Sequence, residues 1–418
     1  MNTIDLKKIE NKIIKSKQYL QSLSTNIEKD FFNIESYIKQ EIQEIDNLIK
    51  QNKKVIPEIH YQEIVNNNIN NNIKNLIKKR GCIIIRGVFD KKITENWNTQ
   101  LTRYIDENNY FEHQKQKEGM NKYFSDLKQG APQIFGLYWS KPQVEVRQSY
   151  NLAVVKSFLN RLWTYEINGK KIFDPDKELV YADRVRRRQA GDDTLGLSPH
   201  CDAGSVERWI TEAFQKIYKP IFEGNYKNYD PFNANFRDET EELYAPDVSH
   251  VFRTFQGWMA LTEQGPLEGT LQLIPIAKSI CYILYRALLK DIPSNSLCGS
   301  VPGRALSVNP EYHSLLLKAL ITIPKVYPGD TVWWHPDVVH GVEYKHKGGN
   351  YSNVIYVGST PYCQKNLDYA AKQSKKFLEG KSPPDFAAED YEIYYKGRAT
   401  INDLTDLGKK QLALLPWD

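Results

Sequence analysis

Hydrophobic and polar positions alternate along this chain in two regimes. In the first fifty residues the apolar positions Ile4, Ile9, Ile13 and Ile14, and then Ile34, Ile38, Ile42, Ile45, Leu48 and Ile49, recur at helical spacing between Lys, Glu and Gln. That period predicts helix over 1–53, with one apolar stripe to lay on the main body. The Asn-rich stretch Asn66–Asn75 is low in complexity and carries no chemistry. From residue 81 the pattern shortens. Gly81-Cys-Ile-Ile-Ile-Arg-Gly-Val-Phe89 is a β-branched run bounded by glycines and predicts a buried strand. Helices are predicted near Thr94–Asn108 and Val154–Thr164. Strands are predicted at Leu179–Arg188, Thr194–Ser198, Val251–Leu261, Thr270–Pro275, Ala319–Pro324, Thr331–His335 and Ser352–Val357. Gly265-Pro266, Pro328-Gly329-Asp330 and Gly348-Gly349 supply the turns, and Gln364–Leu378 predicts a closing helix.

Many short strands separated by Gly/Pro turns, with one long insertion at about 206–250, predict an antiparallel double sheet wrapped by helices. The expected division is an N-terminal helical arm, 1–54, and a single domain, 55–418, with helical insertions and a helical tail. Composition sharpens this. Aromatics make up 12% of the 418 residues, enough to build a core and to exclude disorder over most of the chain. No apolar run approaches the ~18 residues of a membrane span, and Met1 is followed by Asn-Thr-Ile-Asp rather than a basic-then-apolar leader. The five cysteines are far apart and form no CxxC pair, so neither a disulfide framework nor a zinc ribbon is expected, and a cytoplasmic location is. Of the net charge of +5, residues 1–80 hold +4, from fourteen basic and ten acidic side chains. The remainder is close to neutral and builds no basic face for nucleic acid.

The candidate chemistry sits in three residues. His200-Cys201-Asp202 follows the strand-like Leu195-Gly-Leu-Ser-Pro199. On extended chain, side chains two apart share a face, so His200 and Asp202 can converge while Cys201 points away. His340 closes the later run Pro328-Gly-Asp-Thr-Val-Trp-Trp-His-Pro-Asp-Val-Val-His-Gly341. Two imidazoles and one carboxylate on one face of a metal leave the opposite positions open, the usual arrangement for Fe(II) in oxygenases. His335 and His346 flank His340 without fitting the ligand position.

The surrounding blocks carry a resemblance. They are Pro132-Gln-Ile-Phe135 with Tyr138-Trp-Ser140, Tyr181-Ala-Asp-Arg-Val-Arg-Arg-Arg188 and Leu195 through Trp209. Phe252-Arg-Thr-Phe-Gln-Gly-Trp258, Gly269-Thr-Leu-Gln-Leu-Ile-Pro275, the segment through His340, Ser352-Asn-Val354, Pro383-Pro-Asp-Phe386 and Gly397-Arg-Ala-Thr400 complete them. From about residue 55 onward the chain resembles the DUF1479 (YbiU-like) family of the phytanoyl-CoA hydroxylase-like Fe(II)/2-oxoglutarate oxygenases. The resemblance implies a double-stranded β-helix, a cupin-like jelly roll, mainly β with surrounding helices. It implies His200, Asp202 and His340 as iron ligands, 2-oxoglutarate and O₂ as cosubstrates, and hydroxylation of a small-molecule substrate with release of succinate and CO₂. It also raises Trp258 packing on the cosubstrate, against plain core packing as the favoured alternative, and a role for Ser352 in holding the cosubstrate.

One departure stands out. The wider superfamily places an Arg on the strand after the last His, to grip the distal carboxylate of 2-oxoglutarate, where this chain reads Gly349-Asn-Tyr-Ser-Asn353. A buried dianion still needs a cation, and guanidinium matches a carboxylate bidentately. Arg184 and Arg186, on one face of the predicted strand Leu179–Arg188, are the favoured replacements, with Arg253 and Arg304 as alternatives. The missing Arg also keeps open a cupin-like metalloenzyme that does not use 2-oxoglutarate, alongside a non-catalytic jelly-roll binding protein. The insertion Glu207–His250 reads equally as a substrate lid or a surface excursion.

Overall fold

Residues 5–115, 133–192, 197–202 and 204–418 are described by the computed structural model. The predicted strand at Thr194–Ser198 falls largely outside them, as do Pro132 and Ala203 of the quoted blocks. The larger sheet runs in the order β1 (Glu58–His60), β2 (Cys82–Arg86), β13 (Thr331–Trp334), β9 (Phe255–Ala260), β15 (Ser352–Tyr362), β7 (Val185–Arg188) and β3 (Ile134–Phe135). Its eighth strand, β6 (Asp174–Leu179), pairs with the far end of β15. The smaller sheet runs β11 (Leu306–Ser307), β8 (His200–Cys201), β14 (His340–Val342), β10 (Leu271–Leu273) and β12 (Ile321–Thr322). The hairpin of β4 (Glu166–Ile167) and β5 (Lys170–Lys171) stands apart. All pairings are antiparallel except that of β1 with β2.

Strand alternation sorts the side chains. Trp258 and Ala260 of β9, Val332 and Trp334 of β13 and Val354 of β15 meet Leu271 and Leu273 of the smaller sheet in one buried cluster. The intervening Phe255, Met259, Trp333, Ile355 and Val357 face the other way, into a layer shared with the helix Lys91–Glu107 and the helix Tyr150–Asn160. The two sheets therefore pack face to face, each fully buried aliphatic side chain contributing about 2 kcal/mol. Gly257 stands opposite Trp333 in the register, and a Cβ there would lie 2.6 Å from the indole, so the close approach requires glycine.

Helices surround this sandwich, and the architecture is mixed α and β. The predicted helix over 1–53 is two helices, α1 (Leu6–Ser22) and α2 (Ile27–Lys50). Asn26 breaks it by capping α2 through the Lys29 N–H, at 3.0 Å. Ile9, Ile13, Leu20, Ile34, Ile38, Ile42 and Ile45 are buried in a cluster with Trp209 and the helix Ser279–Arg286. The predicted strand Leu179–Arg188 is also divided. The Val180 N–H goes to the Gln411 carbonyl, Ala182 N–H to the Gln373 side chain, and the Asp183 carbonyl accepts from Arg147 and Gln143. With those groups taken, residues 180–184 join no ladder. The closing helix is Gln364–Glu379, and β15 runs five residues past its predicted end. No helix of the described residues is long and apolar enough to cross a membrane.

Candidate metal centre

His200 and His340 face each other across the β8–β14 ladder as direct register partners, with ring centroids 4.2 Å apart. Asp202 leaves β8 one residue beyond Cys201 and turns its carboxylate to both rings. Its Oδ1 lies 3.5 Å from His200 Nε2 and its Oδ2 lies 3.7 Å from His340 Nε2. One donor atom from each of the three residues falls within 4.8 Å of the others, the only such group of His, Cys and acidic side chains among the described residues. Three donors this close can share one ion.

The ring nitrogens are assigned by their other bonds. His200 Nδ1 lies 2.6 Å from the Ser198 carbonyl and His340 Nδ1 lies 3.3 Å from the Val338 carbonyl. A carbonyl only accepts, so each Nδ1 carries the proton and each Nε2 offers its lone pair to the shared point. Burial pushes His340 down to about 3, with the neighbouring His200 adding to it, so its ring is neutral at physiological pH. For Asp202 burial works upward, but His340, His200 and Arg253 outweigh it and hold the carboxyl well below its usual range. All the shifted groups thus stand in their ligand form. Trp334 covers one side of His340, at 5.1 Å between centroids, while a third of the Asp202 side chain stays open.

Residues beyond the motif set the geometry. Gln256, inward on β9 like Trp258, donates its amide N–H to Asp202 Oδ2. Behind the triad, Arg208 donates to the Asp202 carbonyl at 2.8 Å, to the Gly204 carbonyl at 3.1 Å and to Asp337 Oδ1 at 2.6 Å. Asp337, three residues before His340, also accepts from Tyr218, Tyr229 and Arg237. Four of these partners come from the insertion that follows residue 206, so its first part is a buried clamp on the back of the triad. Cys201 points to that same rear side, its thiol 3.6 Å from the Asp337 carbonyl. Sequence reasoning missed this cluster, though a lone Asp inside the apolar Trp333–Val339 run was its available signal.

The candidate arginines separate. Arg184 lies outside β7 and is held by Asp183 at 3.3 Å and Asp247 at 2.8 Å. Arg186 pairs in register with Val354 and so faces inward. It is buried, donates to the Gly269 carbonyl at 2.6 Å, has no carboxylate of the described residues within ion-pair distance, and is pulled by burial down to about 10. Tyr356, register partner of Trp258, is close enough to Arg186 and Asp202 for both charges to act on its hydroxyl. Ser352 donates instead to the Glu268 carbonyl and lies 3.3 Å from His346. Arg253 reaches to 3.8 Å from Asp202. His335 is spent on the Pro231 carbonyl, at 2.9 Å, and on the Asp337 N–H.

Comparison with known proteins places the chain in a family. Residues 7–414 match the family described as Gig2-like. The chain is 39% identical over 400 residues to the uncharacterized protein YbiU of Escherichia coli K12, covering 95% of this chain and 94% of that one. A crystal structure from Salmonella typhimurium LT2, described provisionally as an oxidoreductase, superposes with a TM-score of 0.91 at 38% identity, covering 99% of this chain and 98% of that one. The crystal structure of the GlcNAc-inducible protein GIG2 (DUF1479) from Candida albicans gives a TM-score of 0.80 at 27% identity, covering 97% and 90%.

Proposed function

The chain belongs to the Gig2-like family, and from that premise we propose that it is a non-haem Fe(II)- and 2-oxoglutarate-dependent dioxygenase acting on a small molecule. The facing sheets are then read as the jelly roll of that superfamily. One observation carries the reading: two Nε2 lone pairs and one carboxylate converge within 4.8 Å, with both ring tautomers fixed by backbone carbonyls. The donor set suits Fe(II) with open positions. The provisional oxidoreductase description of the Salmonella relative points in the same direction.

When bound, iron would supply the activation of O₂, coupled to conversion of 2-oxoglutarate to succinate and CO₂ as substrate C–H becomes C–OH. The residues do the rest. His200 and His340 present neutral donors, and Asp202 cancels one of the two metal charges. Arg186 is the cation we assign to the distal carboxylate, because Arg184 and Arg188 already have acidic partners in Asp183, Asp247 and Asp192. Trp258 and Tyr356 line the same inward face, Trp258 as the apolar wall and Tyr356 as a hydroxyl within reach of the Arg186 and Asp202 charges.

The test is calorimetric titration of 2-oxoglutarate into Mn(II)-loaded protein. Binding is expected to require the metal, and Arg186→Met should weaken it roughly 10- to 100-fold with the metal affinity unchanged. Metal affinity that survives His200→Ala, Asp202→Asn and His340→Ala would overturn the triad. A metal-loaded protein indifferent to 2-oxoglutarate would leave the cupin-type enzyme in its place.

A further inference from the structure

Arg253 is a buried cation to which no described residue offers a hydrogen-bond acceptor. It is 8% exposed, its Nε–H is buried and unbonded, and no described residue accepts from its other N–H groups. Tyr181 supplies a π face 5.3 Å from the guanidinium carbon. Asp202 is the only carboxylate within ion-pair distance among the described residues, at 3.8 Å, and that carboxylate already receives Gln256 and belongs to the candidate metal site.

The neighbouring cations are treated differently by the fold. Arg184 is matched by Asp183 and Asp247, and Arg188 by Asp192. Arg208 and Arg237 share Asp337. Glu242 and Asp337, the two acids lining a cleft with Arg253, Phe252 and Thr240, are both engaged, Glu242 by Lys365 at 3.0 Å. A buried guanidinium whose one acidic neighbour is a shared carboxylate 3.8 Å away is only partly compensated, so beside the candidate metal centre it is built to receive an anion from outside the chain.

Charge identifies which anion. On the reading proposed above, a divalent metal, the Asp202 carboxylate, dianionic 2-oxoglutarate and Arg186 sum to zero. Arg253 then adds one positive charge that nothing in the site balances. We propose that Arg253 is a specificity-determining residue that holds an oxyanion of the primary substrate, a carboxylate or a phosphoryl group, against the Tyr181 ring and next to the metal. The substrate class is thus an anionic small molecule, and the C–H to be hydroxylated lies close to the acid group.

This inference rests on the dioxygenase reading, and the experiment separates the two. Mn(II)-loaded protein is first titrated with 2-oxoglutarate; failure to bind there counts against the dioxygenase reading alone. Inorganic phosphate and ¹³C-labelled acetate are then added separately, and their ³¹P and ¹³C relaxation by the bound Mn(II) is followed, with or without 2-oxoglutarate according to the first result. A saturable enhancement is expected for at least one probe, the more effective probe naming the acid group. Arg253→Met should weaken it about tenfold or more, Arg253→Lys should retain part of it, and 2-oxoglutarate affinity should stay within about twofold. Circular dichroism checks that both variants fold, and Arg253→Lys alone decides if the Met variant does not. Enhancement unchanged in the variants would mean an anion sitting on the metal, and overturns the proposal. So would the absence of enhancement with either probe, or a loss of 2-oxoglutarate affinity parallel to the loss of anion affinity.

Discussion

Asp202 is restrained at both ends, and the two restraints differ in what they tolerate. Its carbonyl is fixed by the fully buried Arg208, whose loss would also take from Asp337 one of its two cations. Its carboxylate is fixed by Gln256 through one N–H, while the Gln256 Oε1 is buried and makes no bond at all. Removing that amide therefore leaves no buried donor behind, and the Asp202 carboxylate, a third exposed, can take water in its place. Gln256→Leu should leave the melting temperature nearly unchanged and lower Mn(II) affinity roughly 10- to 100-fold, the usual effect of freeing a ligating carboxylate from its neighbour; calorimetry with both metal and heat reads the two quantities. In the sequence, His340 was singled out by the strand-like run that leads to it. The meeting of His200 with Asp202 was legible there too, because two-residue alternation fixes which side chains of His200-Cys-Asp202 can meet. The arginines were not. Whether Arg184 is free depends on Asp247, far along the chain, and the isolation of Arg253 is a statement about every neighbour it lacks.

At the scale of elements, β15 is the seam of the larger sheet. It pairs with β9, β7 and β6, and its last residues are tied to a buried ion pair. Glu178 on β6 lies 3.3 Å from Lys156, accepts from the Thr360 N–H and hydroxyl, and is wholly buried with its partner. Burial pushes Glu178 up and Lys156 down; their mutual attraction opposes this, helped at Glu178 by the hydrogen bonds from Thr360 and Asn160. Lys156→Ala leaves a carboxylate without its counter-ion and should cost about 3–5 kcal/mol in chemical unfolding. Lys156→Met with Glu178→Gln should recover much of that loss; a double variant no more stable than the single one would show that the cost is packing rather than charge. Continuous apolar runs revealed the strands that are buried on both faces and pair along their length, such as β2, β9 and β13. It failed at Leu179–Arg188, where the composition is strand-like but side chains of Gln373, Gln143 and Arg147 take the backbone groups. Strands of two residues such as β8 and β11 carry no period to detect.

Over the whole molecule, distant segments are joined by buried polar groups rather than by long sheets. Lys17 of α1 donates to the carbonyls of Pro293, at 2.9 Å, and Ser296, at 3.0 Å, fastening the first helix to a turn late in the chain. Glu392 performs the same task at the other end. It accepts from the N–H groups of Tyr138, at 2.6 Å, and Trp139, at 3.0 Å, and from the Tyr104 hydroxyl at 2.8 Å, so one carboxyl closes the C-terminal turns over the helix Lys91–Glu107. Burial dominates and raises this carboxyl from its ordinary 4.5 to about 7, although the three donors and Arg147 pull it down. The sign follows from linkage. The native state holds the proton more tightly than the unfolded chain, so this contribution is complete below about 4.5 and is lost as pH rises through 7. A shift of that size corresponds to roughly 3 kcal/mol in all, of which roughly 1 kcal/mol falls between pH 6 and 8. Glu392→Gln cannot ionise and should remove this slope. Thermal unfolding followed from pH 6 to 8 should therefore show the wild type losing stability relative to Glu392→Gln, the difference between their melting temperatures narrowing or reversing toward pH 8. Two curves that stay parallel across that interval would place the proton elsewhere and leave Glu392 ionised in its pocket.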